Sequence, residues 1–242
     1  MSTTVNDFLL LISGASATGK SASLMNLKNP EGVIYLGTEA GKKLPFKSKF
    51  KEFVISDPLQ ILEGFDYAES QNDIHTIVID SLTFLLDQYE SQYVLKSANG
   101  MQAWNDFQQY FKNLMQKRVA TSSKNVIFTA HTLTIYNETD MVMETKIPVK
   151  GALKNNGLES YFSINIMTVK KTIKDLEPYK SDMLNITPEE EALGFKYCFQ
   201  TKLTKETINT RIRSPLGMFT TEQTFIDNDT QMVLDHLHNY YK

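Results

Sequence analysis

At 242 residues the chain is long enough to bury a substantial core, and its 41% hydrophobic and 22% charged content is ordinary for a globular protein. A formal net charge of −3 excludes a chain that binds nucleic acid through a generally basic composition, although a local basic face would still serve. The lone cysteine, Cys198, cannot form an internal disulfide, and no apolar run approaches the ~20 residues of a membrane helix, so a soluble protein of the reducing cytoplasm is expected.

The first apolar stretch, Phe8–Ser13, has no basic segment before it and no small-residue cleavage site after it, so it reads as a core strand and not a leader. It runs directly into Gly14-Ala15-Ser16-Ala17-Thr18-Gly19-Lys20-Ser21, which matches G-x-x-x-x-G-K-[ST] at every fixed position. Glycines at 14 and 19 let backbone N–H groups turn inward toward phosphate oxygens. Lys20 supplies a point charge for the β- and γ-phosphates, and the Ser21 hydroxyl suits Mg²⁺. With Ala22 included, residues 14–22 form the expected ATP-binding loop, and a helix is predicted to open near Gly19 with its positive end toward the phosphates.

Further buried strands are predicted at Val33–Leu36, Glu52–Ile55, Thr76–Ile79 and Asn125–Thr129, each too continuously apolar for a half-exposed strand. Between them, Asp57-Pro58-Leu59-Gln60 carries the signals of a helix start. Leu82, Leu85, Leu86, Tyr89 and Tyr93 form one helical stripe; Trp104, Phe107, Phe111, Leu114 and Met115, closed by Arg118, form another. Alternation of short strands with such helices predicts βαβ units around a parallel sheet. Asp80 ends the fourth strand, where a carboxylate can complete a Mg²⁺ site with Ser21; capping the next helix is its other role, and the two are compatible.

After residue 135 the periodicity weakens, and residues 137–160, with Gly151 and Gly157, read as a mobile loop or hairpin. Ser163–Val169 and Tyr197–Lys202 are predicted as strands added antiparallel at the C-terminal side, with residues 170–195 as a surface excursion. Within that excursion, Thr187-Pro188-Glu189-Glu190 is a capping box that opens a short helix ended by Gly194. A last helix covers about 229–241, and one domain over 1–242 is the simplest organisation.

Two basic segments are candidates for nucleic acid. Lys42, Lys43, Lys47, Lys49 and Lys51 interleave with Phe46 and Phe50, a pattern that suits backbone contact with aromatic stacking, or else a solvated or intersubunit face. Lys146, Lys150, Lys154, Asn155 and Asn156 lie in the glycine-punctuated loop.

The order phosphate loop, Val33-Ile34-Tyr35-Leu36-Gly37-Thr38-Glu39, Asp80 strand, Phe128-Thr129-Ala130-His131 and late basic strand resembles the RecA-like P-loop ATPases, and among them the small phage-type recombination and single-strand-annealing ATPases. The resemblance implies an α/β RecA-like core, mostly parallel with helices on both faces, and ATP and Mg²⁺ as ligands. It implies Glu39 as the residue that readies water, His131 as a γ-phosphate sensor, and Arg211 or Arg213 as a finger acting on a neighbouring subunit; a surface ion pair is the alternative for either arginine. It further implies single-stranded DNA as partner, self-association into a ring or filament, replication or recombination proteins nearby, and the host cytoplasm for a phage-encoded chain. Against the pattern of full-length recombinases, the chain is expected to lack an N-terminal oligomerisation domain and a large C-terminal domain, which leaves filament formation open. The competing readings are a nucleotide-switched assembly module and a small-molecule kinase; the second lacks a lid-like arginine cluster near 110–140.

Overall fold

A computed structural model describes residues 6–39 and 41–242. In chain order the strands are β1 (Leu9–Gly14), β2 (Val33–Gly37), β3 (Lys51–Val54), β4 (Thr76–Asp80), β5 (Asn125–His131), β6 (Leu133–Asn137), β7 (Val142–Lys146), β8 (Ile164–Thr172), β9 (Phe195–Gln200) and β10 (Phe225–Asp227). The helices are α1 (Gln60–Ser70), α2 (Leu82–Tyr89), α3 (Gly100–Asn113), α4 (Leu153–Asn156), α5 (Ile173–Leu176), α6 (Pro188–Leu193) and α7 (Thr230–Tyr240). Both α2 and α3 run on into a π-helical turn, so the predicted stripes are continuous through Tyr93 and Arg118.

Eight strands form one sheet in the order β10-β9-β8-β1-β5-β4-β2-β3. Every pair from β8 through β3 is parallel, and only β8–β9 and β9–β10 are antiparallel. The chain therefore has a P-loop NTPase fold with antiparallel strands at its C-terminal side, as expected. One detail differs from expectation: β8 joins β1 in parallel, and the antiparallel geometry begins only at β9. The excursion after β8 is also less peripheral than the sequence suggests, because Leu176 is buried against Cys198 and Phe225.

Strand side chains alternate between two cores, as the two-residue repeat of a strand demands. Leu11, Ile34, Leu36, Ile77, Ile79, Val126 and Phe128 face α1, α2 and α3, meeting Phe65, Leu85, Phe107 and Phe111. Leu10, Ile12, Tyr35, Val78, Ile127 and Ile166 face the other way, against Val233, Leu234 and Leu237 of α7. Helices thus cover both faces, and each fully buried large apolar side chain contributes about 1.5–3 kcal/mol. That burial makes the sheet a rigid platform. Register then aligns strand ends in one row: Gly14 lies beside His131, and Gly37 beside Asp80.

The hairpin begins earlier than predicted, with β6 starting at Leu133, and it ends at Lys146 before the short α4. No helix among the described residues is long and apolar enough to cross a membrane.

Candidate active site

Ligands of open parallel sheets bind beyond the carboxyl ends of the strands, where neighbouring connections part. β1 sits between β5 and β8, and its end delivers the loop Gly14–Ser21 to that location. Two glycines are required by close approach. A Cβ on Gly14 would lie 2.1 Å from Thr168 Oγ1, and one on Gly19, whose φ is +100°, would lie 2.6 Å from Asn228 Nδ2.

The helix expected to open near Gly19 is absent, and a single 3₁₀ turn, Ala22–Leu24, stands in its place. Local chemistry explains this. The Ser23 hydroxyl bonds back to the Lys20 carbonyl at 2.6 Å, and Asn29 takes a left-handed conformation just before Pro30, leaving too few residues to propagate a helix. The start of α7 braces the turn instead. Asn228 Nδ2 donates to the Gly19 carbonyl (3.0 Å), Asn26 to Asp229 (2.7 Å), and the Lys28 backbone N–H to Gln231 (2.9 Å), while the hydroxyls of Ser23 and Thr230 meet at 2.9 Å.

Beyond the loop lies a cleft of about 410 Å³, lined by Gly19, Lys20, Ser21, Lys42, His131 and Tyr197 among others. Lys20 is only 6% exposed. Its ammonium donates to the carbonyls of Gly14 (2.9 Å) and Ala15 (2.7 Å), which are neutral partners. Burial lowers its pKa to about 8, with Asp80 opposing that shift. A desolvated cation with neutral partners is a site that an incoming phosphate would neutralise.

Asp80, 2% exposed, is the hub of the polar network. Its Oδ2 accepts from Ser21 Oγ (2.7 Å) and from the Tyr35 hydroxyl (2.8 Å), and its Oδ1 accepts from Thr129 Oγ1. Burial and the adjacent Asp80 carboxylate raise the Tyr35 phenol far above its ordinary range, so it stays a donor. The Ser21–Asp80 pair offers hard oxygen ligands side by side at the phosphate loop. That donor set fits Mg²⁺, which takes one or two protein oxygens and fills its octahedron with phosphate and water.

Thr38 ties β2 to β4: its backbone N–H donates to the Asp80 carbonyl (2.8 Å) and its hydroxyl to the Ser81 carbonyl (2.7 Å). Glu39 follows at once and is bonded to two residues that line the cleft, His131 and Lys42. Its Oε1 lies 3.0 Å from His131 Nε2, and its Oε2 accepts from Lys42 Nζ. Burial would raise the Glu39 carboxyl, but hydrogen bonds and charge from His131 and Lys42 outweigh it and hold the pKa at about 2. His131 is itself fixed by a backbone hydrogen bond to Thr83 Oγ1 (2.9 Å) and an edge contact with the Phe84 ring.

Predicted residues outside this cluster lie elsewhere. Arg211 pairs with Glu144 on β7. Arg213 forms a two-way backbone bridge with Asn165, upstream of the point where β8 meets the phosphate loop. Neither arginine is among the residues lining the cleft of its own chain. In the first lysine cluster, Phe50 is buried and Phe46 packs edge-on against it, so these rings anchor the segment, contrary to the expected stacking role. Lys49 and Lys51 pair with Glu31 and Asp73, and Lys42 and Lys43 line the cleft. In the second segment, Lys146 pairs with Glu144 and Lys150 with Glu90, leaving Lys154, Asn155 and Asn156 exposed on α4. The sequence reading missed the roles of Tyr35, Thr38, Thr129 and Asn228. A lone hydroxyl within each apolar strand was the signal for Tyr35 and Thr129.

A parallel sheet whose first strand feeds this loop, with a buried lysine, a Ser–Asp pair and a carboxylate at the cleft, defines a nucleotide-binding P-loop protein. The profile of a family described as AAA domain matches residues 7–180, and the chain belongs to that family of P-loop ATPases. No curated protein matches the sequence.

Proposed function

We propose that this chain is a Mg²⁺-dependent RecA-like ATPase that acts on single-stranded DNA in phage-type recombination, annealing or replication. The observation that carries the reading is the position of Glu39. It follows Thr38, which is bonded to Asp80, and is itself bonded to His131, a residue from the end of β5 that lines the phosphate cleft. In the hydrolysis so implied, a water oxygen bonds to the γ-phosphorus while the bond to the β–γ bridging oxygen breaks and its electron pair leaves with ADP. Glu39 orients that water and takes its proton, Lys20 balances charge on the phosphates, and Ser21 with Asp80 would hold the metal. Bound Mg²⁺ would draw charge from the β- and γ-phosphate oxygens. His131, hydrogen-bonded to Glu39, senses the γ-phosphate, and Arg211 or Arg213 completes the site of a neighbouring subunit.

A second reading is favoured by the hairpin that starts two residues after His131. Its Leu133, Tyr136, Met141 and Met143 are each more than half exposed, and Glu138 and Asp140 at its tip would repel a phosphate backbone. A nucleotide-switched module that recruits a protein through this hairpin fits those features. ATP hydrolysis with and without single-stranded DNA, alongside size measurement in ATP, separates the two. Stimulation, with DNA affinity falling steeply with salt, supports the first. No stimulation and no DNA retention at low salt rejects it in favour of the second.

A further inference from the structure

The hydrogen bonds at Glu39 conflict with its work as a base. Each carboxylate oxygen can accept two hydrogen bonds, so a water still has room on Glu39, but His131 already takes one site on Oε1, and the Lys42 ammonium takes one on Oε2 and draws off its charge. The same two partners hold its pKa down, at about 2, which weakens it as a base. Departure of one partner would return charge and an acceptor site to the carboxylate.

The structure indicates which. Glu39 is 12% exposed, and His131, at 22%, is fixed by the sheet, whereas the Lys42 side chain is 53% exposed. Lys42 follows Gly41, whose φ is +76° and which has open space around it. Its ammonium sits on a flexible stem at a cleft that already contains Lys20 and Ser21. The terminal phosphate of ATP carries about twice the charge of a carboxylate and offers three strong acceptors, so at equal distance it attracts the ammonium roughly twice as strongly.

We propose that Lys42 is a γ-phosphate-contacting cation that keeps Glu39 closed until ATP arrives: it occupies Glu39 Oε2 in the nucleotide-free protein and transfers to the terminal phosphate, freeing that oxygen for the attacking water. The proposal rests on the reading of Glu39 as the base. His131 keeps Oε1 oriented throughout the exchange. ADP has no γ-phosphate to attract the ammonium, so after hydrolysis Lys42 returns to Glu39 and the site closes again. The same lysine thus distinguishes ATP from ADP and couples that distinction to base release.

The test is calorimetric titration of wild type, Lys42→Ala and Lys42→Arg with Mg-AMP-PNP and Mg-ADP, which needs no turnover. Loss of one charge-assisted contact to the γ-phosphate is expected to reduce the preference for AMP-PNP over ADP by roughly tenfold or more in Lys42→Ala. ADP affinity should stay within about twofold, and Lys42→Arg should restore the preference. An unchanged preference in Lys42→Ala overturns the proposal, as does an equal loss of affinity for both nucleotides, which would mark Lys42 as general support for the cleft. An unchanged preference beside lost turnover in Glu39→Gln rejects the exchange and leaves the base assignment standing. Normal turnover in Glu39→Gln rejects the base assignment and the closed state with it.

Discussion

The polar hub at Asp80 can be probed at a residue that does not line the cleft. Tyr35→Phe removes one hydroxyl, keeps the ring in the core that also includes Val78 and Phe50, and leaves no cavity of note. The lost contact is a 2.8 Å hydrogen bond to Asp80 Oδ2 from a side chain only 8% exposed. A hydrogen bond to a charged group contributes about 1.5–3 kcal/mol. Asp80 keeps Ser21 on the same oxygen and Thr129 on the other, so it is not left bare, and the lower part of that range, about 1.5–2 kcal/mol, is expected. For a chain of this size each kcal/mol shifts Tm by about 2–4 °C, which predicts a loss of about 3–8 °C. Thermal unfolding followed by circular dichroism, without nucleotide, measures it. A double-mutant cycle with Asp80→Ala, which leaves no acceptor for the hydroxyl, isolates the pair, because Asp80→Ala should make Tyr35→Phe nearly silent. A Tm change below about 1 °C, or full additivity in the cycle, would refute the hub.

Two further outcomes follow from the charges in the cleft. Burial brings the Lys20 ammonium from 10.5 to about 8, so between those values the unfolded chain binds more protons than the folded one, and this residue makes the nucleotide-free protein more stable as pH rises. Lys20→Met should remove that increment in denaturant titrations from pH 8 to 10, and wild-type ATP affinity should fall as pH passes about 8 and the ammonium is lost. Glu39→Gln should bind ATP within a few-fold of wild type, while single-turnover hydrolysis falls by about 10²–10⁴; normal hydrolysis would remove Glu39 from the chemistry.

Local order carries the signals that were legible along the chain. A phosphate loop is nearly contiguous because backbone N–H groups and one lysine do most of the binding, so Gly14–Ser21 could be recognised without a fold. The buried parallel strands declare themselves as unbroken apolar runs, and a carboxylate at the end of one, Asp80, stands out for the same reason, but the run Glu52–Ile55, read the same way, overlaps the largely exposed edge strand β3. The Thr187–Glu190 capping box forms as read, with both reciprocal hydrogen bonds present, because it involves only residues three apart.

What tertiary structure alone decided concerns partners far apart in sequence. Only the strand order brings Tyr35, Thr129 and Ser21 onto one carboxylate, since β2 and β5 reach β4 from opposite sides. Only the return of α7 supplies the brace that the phosphate-loop turn lacks, through contacts some two hundred residues apart. Lys42 shows the limit most clearly. By composition it belongs to a basic patch with Lys43, Lys47, Lys49 and Lys51, and charge density says nothing about direction. The turn after β2 sends it to Glu39, and a lysine's role follows from the anion its stem can reach.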